Sequence, residues 1–468
     1  MSRSMAFSPT GSIPGTKLVV ILVVLALLVA LVAPGMAAAQ SASQRIVTIR
    51  DAETENLVRR LSHPLFRTAG VDPGLVRITL IQNRAINAFV STGNRLFIHT
   101  GLIQQAGSVR ELIGVLAHET GHIAGGHLAR LPDEMRAAML RSVAAMLLGG
   151  AAAAASGQSG ALMAGMLGGQ ASAMGEFYAF TRSQEQSADQ AAVTYLDRLG
   201  WSSRGMESLL EKLLEQELLA VGRQDPYFRT HPLSRDRLEF AREHIARSRH
   251  ANAPPPPGFE ESFAMVRAKL DGFIDPPAMT WRRYPASDAS APARYARTIA
   301  QFRSGRIPEA VAMVDGLIAE APNSPWLNEL KGQILFEGHR PAEALAPYAR
   351  AARLAPDEPM IRLSHARVLI ELGQPAQLRE AVKELEATLR TERESPFVWR
   401  QMAVAQGRLG NMPQADLALA EEALLLGDPR SARTLATRAA EALPAGPQRL
   451  RAQDLRNAAQ PENLPQRR

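Results

Sequence analysis

The chain has 468 residues, enough for two or three domains with sizeable cores, and at 46% hydrophobic but 5% aromatic it has the profile of an alanine- and leucine-rich helical protein. Its formal charge of +7 is mild for that length, and no Lys/Arg cluster interleaved with aromatics occurs, which argues against nucleic-acid binding. The absence of cysteine excludes disulfides, a thiolate zinc site, a thiol nucleophile and a bacterial lipoprotein anchor.

Residues 1–39 read as a targeting segment: Arg3 and Lys17 are the charged part, Leu18 to Ala33 is an unbroken apolar run, and Ala37-Ala38-Ala39 offers a small-residue cleavage site. The run is short for a membrane span, so cleaved export is favoured over a retained N-terminal anchor; both place the body outside the cytoplasm. From Gln44 to Phe66 the apolar spacing predicts a helix, with Asp51 as an N-cap. Strands are predicted at Val76–Ile81, Ile86–Val90 and Arg95–Thr100, the last two joined as a hairpin through Ser91-Thr92-Gly93-Asn94. A helix follows from about Ser108. Ala137–Gly175 is rich in Ala, Gly and Met with no charge after Ser142; a soluble flap over the site is favoured over a membrane-dipping hairpin. Helical patterning resumes over Glu176–Leu199 and Ser203–Leu219.

Four prolines, Pro254 to Pro257, mark a domain boundary, followed by a connecting helix at Phe259–Gly272 and a loop at Asp275–Pro292. From about Ala293 the chain repeats. Gly305, Gly338, Gly373 and Gly410 recur every 33 to 37 residues, Ala310, Ala344, Ala381 and Ala415 follow in step, and Pro322 and Pro356 are 34 apart. That period resembles tetratricopeptide repeats, whose stacked helix pairs present a concave surface to peptides or proteins. The polar, basic stretch after Pro444 is expected to be disordered.

The chemistry sits in Leu116 to His127, L-A-H-E-T-G-H-I-A-G-G-H, which contains H-E-x-x-H at His118, Glu119 and His122. Residues four apart share a helical face, so both imidazoles can meet one zinc ion, and Glu119 is placed as general base for a water that the ion activates. A catalytic zinc needs a third protein ligand. The extended metzincin form would need a histidine at 128, where Leu128 stands, so His127 reads as a structural or surface residue. The other candidate is downstream: Glu185 could ligate, and Asp189, four residues on, could orient a ligand histidine. On spacing alone that pair is no better than a solvated acidic face.

These stretches together, H-E-T-G-H, then R-S-Q-E-Q-S-A-D at 182–189 and T-H-P-L-S-R-D-R at 230–237, with I-R-D-A-E-T-E and N-A-F-V upstream, resemble the gluzincin family typified by the CAAX prenyl protease and the heat-shock protease HtpX. With the export signal and repeats, the match is to the periplasmic subfamily of β-barrel assembly-enhancing proteases. The resemblance implies that His118, His122 and Glu185 ligate one zinc per chain, that Glu119 is the base and that Asp189 supports a ligand. It also implies that His231 lies near the metal, where it can fill the fourth position, and that Arg237 helps stabilise the oxyanion.

The expected architecture is mainly α with a small β-sheet: a signal at 1–39, a zincin-type metalloprotease domain at 40–250, a proline-rich linker and connecting helix at 251–292, α-helical tetratricopeptide-like repeats at 293–445 and a disordered tail at 446–468. The expected function is that of a periplasmic zinc endopeptidase acting on misfolded or stalled envelope polypeptides, with the repeats docking substrate or outer-membrane assembly machinery and with no nucleic-acid partner. A chaperone or scaffold whose proteolysis is latched, and a protease associated with the membrane, are the alternatives. Substrate is expected to extend along an exposed strand edge, Arg95–Thr100 or Ile86–Val90.

Overall fold

The computed structural model describes residues 46–460 except positions scattered over 128–150 and the stretches 151–158, 218–230 and 232–234. The leader and much of the Ala/Gly/Met segment therefore lie outside the described residues. Among those described, no helix is long and apolar enough to cross a membrane.

The first part folds around helix α3 (Val109–Gly125), whose residues from Leu112 to His122 are all buried. Strand β1 (Thr48–Ile49) precedes helix α1 (Ala52–Thr68), where Asp51 accepts from the Thr54 N–H as the N-cap. The helix expected from Gln44 thus begins at Ala52, and Thr48–Ile49 instead pairs antiparallel with Leu80–Ile81. A few apolar residues cannot separate the two periods, and the open edge of β2 decided it. Strands β2 (Arg77–Ile81), β3 (Ala88–Ser91) and β4 (Arg95–His99) complete a sheet of order β1-β2-β4-β3, with β2 and β4 parallel and β3–β4 an antiparallel hairpin. Its turn uses left-handed Gly93 (φ 78°) and Asn94 (φ 54°), residue types that tolerate that region. Leu80, Ala88, Val90, Leu96 and Ile98 face the core shared with Leu57 and Leu61 of α1 and Leu112 and Leu116 of α3.

After the short helix α2 (Thr100–Gln105) and α3 come helices α4 (Ser159–Leu199), α5 (Arg204–Glu217) and α6 (Arg235–Arg247). The last part of the Ala/Gly/Met stretch is the start of α4.

Helix α7 (Phe259–Ile274) is not a passive connector. Phe263, Val266 and Leu270 enter the core of the first part, whereas Ala268 belongs to the core of the array with Tyr295 and Ile299. The loop expected over 275–292 contains helix α8 (Pro277–Arg283), opened by a proline at N1 and tied back by Arg283 and the Tyr284 hydroxyl on buried Asp271.

The array has five helix pairs among the described residues: α9 (Ala291–Arg303) with α10 (Ile307–Glu320), α11 (Pro325–Glu337) with α12 (Pro341–Leu354), α13 (Pro359–Leu372) with α14 (Pro375–Leu389), α15 (Pro396–Arg408) with α16 (Met412–Leu425), and α17 (Pro429–Ala442) with α18 (Pro447–Ala458). Each of these helices starts with proline at its first or second position, where the missing N–H costs nothing. Gly305, Gly373 and Gly410 take the left-handed turn within a pair; in the second pair His339 (φ 60°) takes it in place of Gly338. Ala310, Ala344, Ala381 and Ala415 are buried where the helices meet. The tail expected to be disordered is helical to Ala458, because Ala452, Leu455 and Ala459 form a buried stripe that its basic composition hides.

The array also holds α1. Arg59 and Asn56 reach Glu358, Arg50 pairs with Glu392, and Ala52 packs on Ala351, Ala352 and Ile361. At the centre, fully buried Lys269 of α7 meets Asp51 at 2.5 Å, Glu53 at 3.4 Å and Glu329 at 3.6 Å, and the Tyr295 hydroxyl donates to Glu53. Burial pushes Glu329 up to about 7, against the pull of Lys269. Lys269→Met strands three carboxylates without their cation. It is expected to cost about 3–5 kcal/mol in urea unfolding, whereas Arg340→Ala, which breaks an exposed pair with Glu343, should leave the urea midpoint unchanged.

Candidate metal centre

Helix α3 places His118 and His122 one turn apart with Glu119 between them, and all three are buried. Helix α4 crosses so closely that a Cβ on Gly121 would lie 2.7 Å from the Ala188 carbonyl oxygen. Only glycine fits there, and the contact carries Glu185 and Asp189, on either side of Ala188, against the two histidines. What spacing left as a solvated acidic face is a pair of buried carboxylates.

The Nε2 atoms of His118 and His122 are 3.0 Å apart, and each is 3.3 Å from an oxygen of Glu185. His231, ahead of α6, points its Nδ1 at the same spot, 3.3 Å from His118 Nε2 and 3.1 Å from Glu185 Oε1. Its Nε2 is 3.3 Å from the Ala88 carbonyl on β3 and 3.4 Å from Glu119 Oε1. Asp189 accepts from His118 Nδ1 at 2.8 Å. Arg237 spans the carboxylates, with Nε and Nη2 on Asp189 and Nη1 at 2.8 Å from Glu185 Oε2. Arg237 thus holds Glu185 and Asp189 from behind.

Sequence reasoning missed His127. It is buried, and its Nδ1 lies 2.9 Å from His122 Nδ1. The sequence reading of His127 as a structural or surface residue did not use left-handed Gly126 (φ 61°), which caps α3 and turns the chain back. A left-handed glycine directly after the motif was the available signal.

Charge is balanced tightly. Burial disfavours a charged His118, but the Asp189 and Glu185 carboxylates outweigh it and raise its pKa to about 10. Burial lowers His122 to about 3, only partly opposed by Glu185. Burial also works against ionised Asp189, yet Arg237 and His118 hold it near 2, and Glu185 is likewise held well below the carboxylate range by His231, His118 and His122. Burial pushes Glu119 upward, and neither of its oxygens has a hydrogen-bond partner.

These residues fit a zinc ion. Bonds of about 2.0–2.1 Å in a tetrahedron place donor atoms about 3.3 Å apart, and the donor atoms of His118, His122, Glu185 and His231 that are in mutual reach lie 3.0–3.3 Å apart. All four gather within 4.8 Å of one another. Imidazole and carboxylate without thiolate suit zinc, and the Glu119 carboxylate, which accepts no hydrogen bond, adjoins the cluster.

Comparison with known proteins agrees with this chemistry. Residues 50–245 match peptidase family M48. The chain is 29% identical over 363 residues to the β-barrel assembly-enhancing protease of Escherichia coli (strain K12), spanning 74% of this chain and 71% of that protein. It is 24% identical over 387 residues to the putative β-barrel assembly-enhancing protease of Vibrio cholerae serotype O1, spanning 81% and 78%. Metalloprotease LoiP of Escherichia coli (strain K12) is 29% identical over 174 residues, 36% of this chain and 63% of that one. Among solved structures, YrrB, a TPR protein, aligns at TM-score 0.31 and 19% identity over 36% of this chain and 88% of that chain; the repeat character of residues 291–458 stands on their own helix pairs.

The raised pKa of His118 means that the metal-free site carries a proton that zinc must displace. Zinc affinity is expected to rise with pH until His118 deprotonates on its own, near 10. Calorimetric titration at pH 7 in buffers of different ionisation enthalpy should show about one proton released per zinc bound.

Proposed function

We propose, from the premise that residues 50–245 are a peptidase family M48 domain and the chain a zinc metalloprotease, that His118, His122 and Glu185 hold the zinc and that Glu119 is the general base of an endopeptidase. The convergence of these side chains, with Glu119 buried beside them and free of hydrogen-bond partners, carries the reading. Zinc, when bound, supplies a Lewis acid for the scissile carbonyl and lowers the pKa of water toward neutrality. Glu119 takes a proton from the attacking water and returns it to the leaving amine; burial raises its proton affinity and suits it to that exchange. Asp189 accepts from His118 Nδ1–H and so leaves Nε2 free to ligate, while Arg237 fixes both carboxylates.

Substrate aligns along the outer edge of β3. Of the two strands expected to offer an edge, β4 is flanked by β2 and β3, which removes it. On β3 the Asn87 carbonyl accepts from His99 N–H in the direction of β4, so the neighbouring Ala88 carbonyl points outward. His231 Nε2 lies 3.3 Å from that carbonyl, and its Nδ1 faces the ligand cluster, where it would fill the fourth ligand position. Displacing one residue would therefore open the substrate edge and the metal together, making His231 a latch.

The relatives' names point to β-barrel assembly, and the sequence of residues 1–39 to export. On that basis the chain works in the periplasm on misfolded or stalled envelope proteins, with its array docking substrate or an assembly partner. His231 at the cluster supports a second reading, a holdase or scaffold with minor proteolysis. Deleting the chain after Pro257 cannot separate the two, because it removes core residues Phe263, Val266 and Leu270. Point variants can.

Glu119→Gln should keep one zinc per chain and cut hydrolysis of unfolded casein by about 10²–10⁴-fold, while Glu185→Ala should lose the zinc. Complementation of an envelope defect by Glu119→Gln would favour the scaffold. His231→Ala is expected to raise casein hydrolysis at unchanged zinc content; equal or lower activity would sink the latch.

A further inference from the structure

The two histidines of α3 are supported on their far sides by different chemistry. His118 Nδ1 meets the carboxylate of Asp189, itself fixed by Arg237. His122 meets an imidazole: its Nδ1 is 2.9 Å from the Nδ1 of His127, with ring centroids 5.0 Å apart and planes at 82°. Two lone pairs cannot face each other at that distance, so one Nδ1 carries the proton. His122 must keep Nε2 unprotonated to point it at the cluster, where it lies 3.0 Å from His118 Nε2 and 3.3 Å from Glu185 Oε1. Neutral imidazole holds one proton, so His122 holds it on Nδ1 and donates it to His127.

The backbone is arranged for this contact. Gly126 ends α3 in a left-handed cap, turning His127 back over the helix end. A Cβ on Gly125 would lie 2.4 Å from His127 Nε2, so only glycine leaves room for the ring. Gln184, next to Glu185 on α4, donates to the His127 backbone carbonyl at 3.3 Å and ties the turned segment to the helix that carries the carboxylate. Three features of the sequence, Gly125, Gly126 and Gln184, converge on one residue that the H-E-x-x-H motif does not include.

We propose that His127 is a positioning residue for the metal site: the lone pair on its Nδ1 accepts the His122 Nδ1–H and locks His122 in the tautomer and orientation whose Nε2 faces the zinc. The proposal rests on His122 being a zinc ligand. His127 itself holds its proton on Nε2, away from His122. Support of this kind sets ligand affinity, with losses of about 10–100-fold when it is removed.

The test uses the full chain and reads zinc affinity by competition with a chromophoric chelator, beside the metal-free melting temperature. His127→Ala should weaken zinc binding about 10–100-fold. His127→Asn places an amide oxygen close to the position of Nδ1 and should recover most of the affinity. His122→Ala should weaken binding more than His127→Ala does. Nitrogen NMR of the wild-type histidines with zinc bound should show His122 protonated on Nδ1. Wild-type affinity in His127→Ala, with His122→Ala impaired, overturns the proposal and leaves the ligand reading standing. Equal losses in His127→Asn and His127→Ala also overturn it, because the ring would then act by volume alone. Wild-type affinity in His122→Ala removes the ligand reading and this inference with it. Should His127→Ala fail to fold, His127→Asn and the His122 tautomer decide, and an unprotonated His122 Nδ1 counts against the proposal.

Discussion

The structure depends on bringing opposed charge and lone pairs to one buried point and keeping them there. His118, His122, Glu185 and His231 converge within 4.8 Å inside protein. Without an ion such a cluster is expensive, since each group has lost its water. Two devices make it tolerable. Arg237 lies under Glu185 and Asp189 and offsets part of their charge. The contact of Gly121 with Ala188 sets the separation of α3 and α4 from the backbone, so the ligand positions do not rely on flexible side chains. The sheet, α1 and α5 wrap this helix pair in an apolar core that leaves the cluster little room to relax.

A second buried charge cluster, around Lys269, performs a different task. It joins the two helix systems of the chain. Asp51 and Glu53 come from the start of α1, Lys269 from α7, and Tyr295 and Glu329 from the first two pairs of the array. A buried ion cluster is weak evidence for added stability, but it specifies one docking geometry because any shift strands a charge. Exposed pairs such as Arg50 with Glu392 and Arg77 with Glu394 lie along the same seam and contribute less.

Much of this was legible in sequence, for local reasons. His118 and His122 could be read because four-residue spacing on a helix is a geometric statement, and the hairpin because Ser91-Thr92-Gly93-Asn94 names its own turn. The array was visible in Gly305, Gly373 and Gly410, whose left-handed turns recur. Glu185 and Asp189 were visible only through resemblance, since a pair of acids four apart says nothing about the helix it will meet. His127 stayed open between a structural and a surface residue because its burial depends on the left-handed turn at Gly126. Strand β1, helix α8 and helix α18 were lost because a few buried residues in polar surroundings decided them, such as Ala452 and Leu455 in the basic C-terminal stretch. The prolines at the first or second position of each helix from Ala291 to Ala458 were a stronger boundary signal than the glycines.

Helix α7 puts one face into each of two cores. Two modules on a slack tether meet by diffusion, and the tether's length sets how often. Two modules that share a helix have no such search. Anything gripped by the array is held at a set bearing from the zinc, and the entropy of orienting it is spent when the chain folds rather than when cargo arrives. Torque on the array is borne by α1 and α7, which pack in the same core as the helix of His118 and His122. The protein is built as a jig in which the array and the metal centre are machined from one piece.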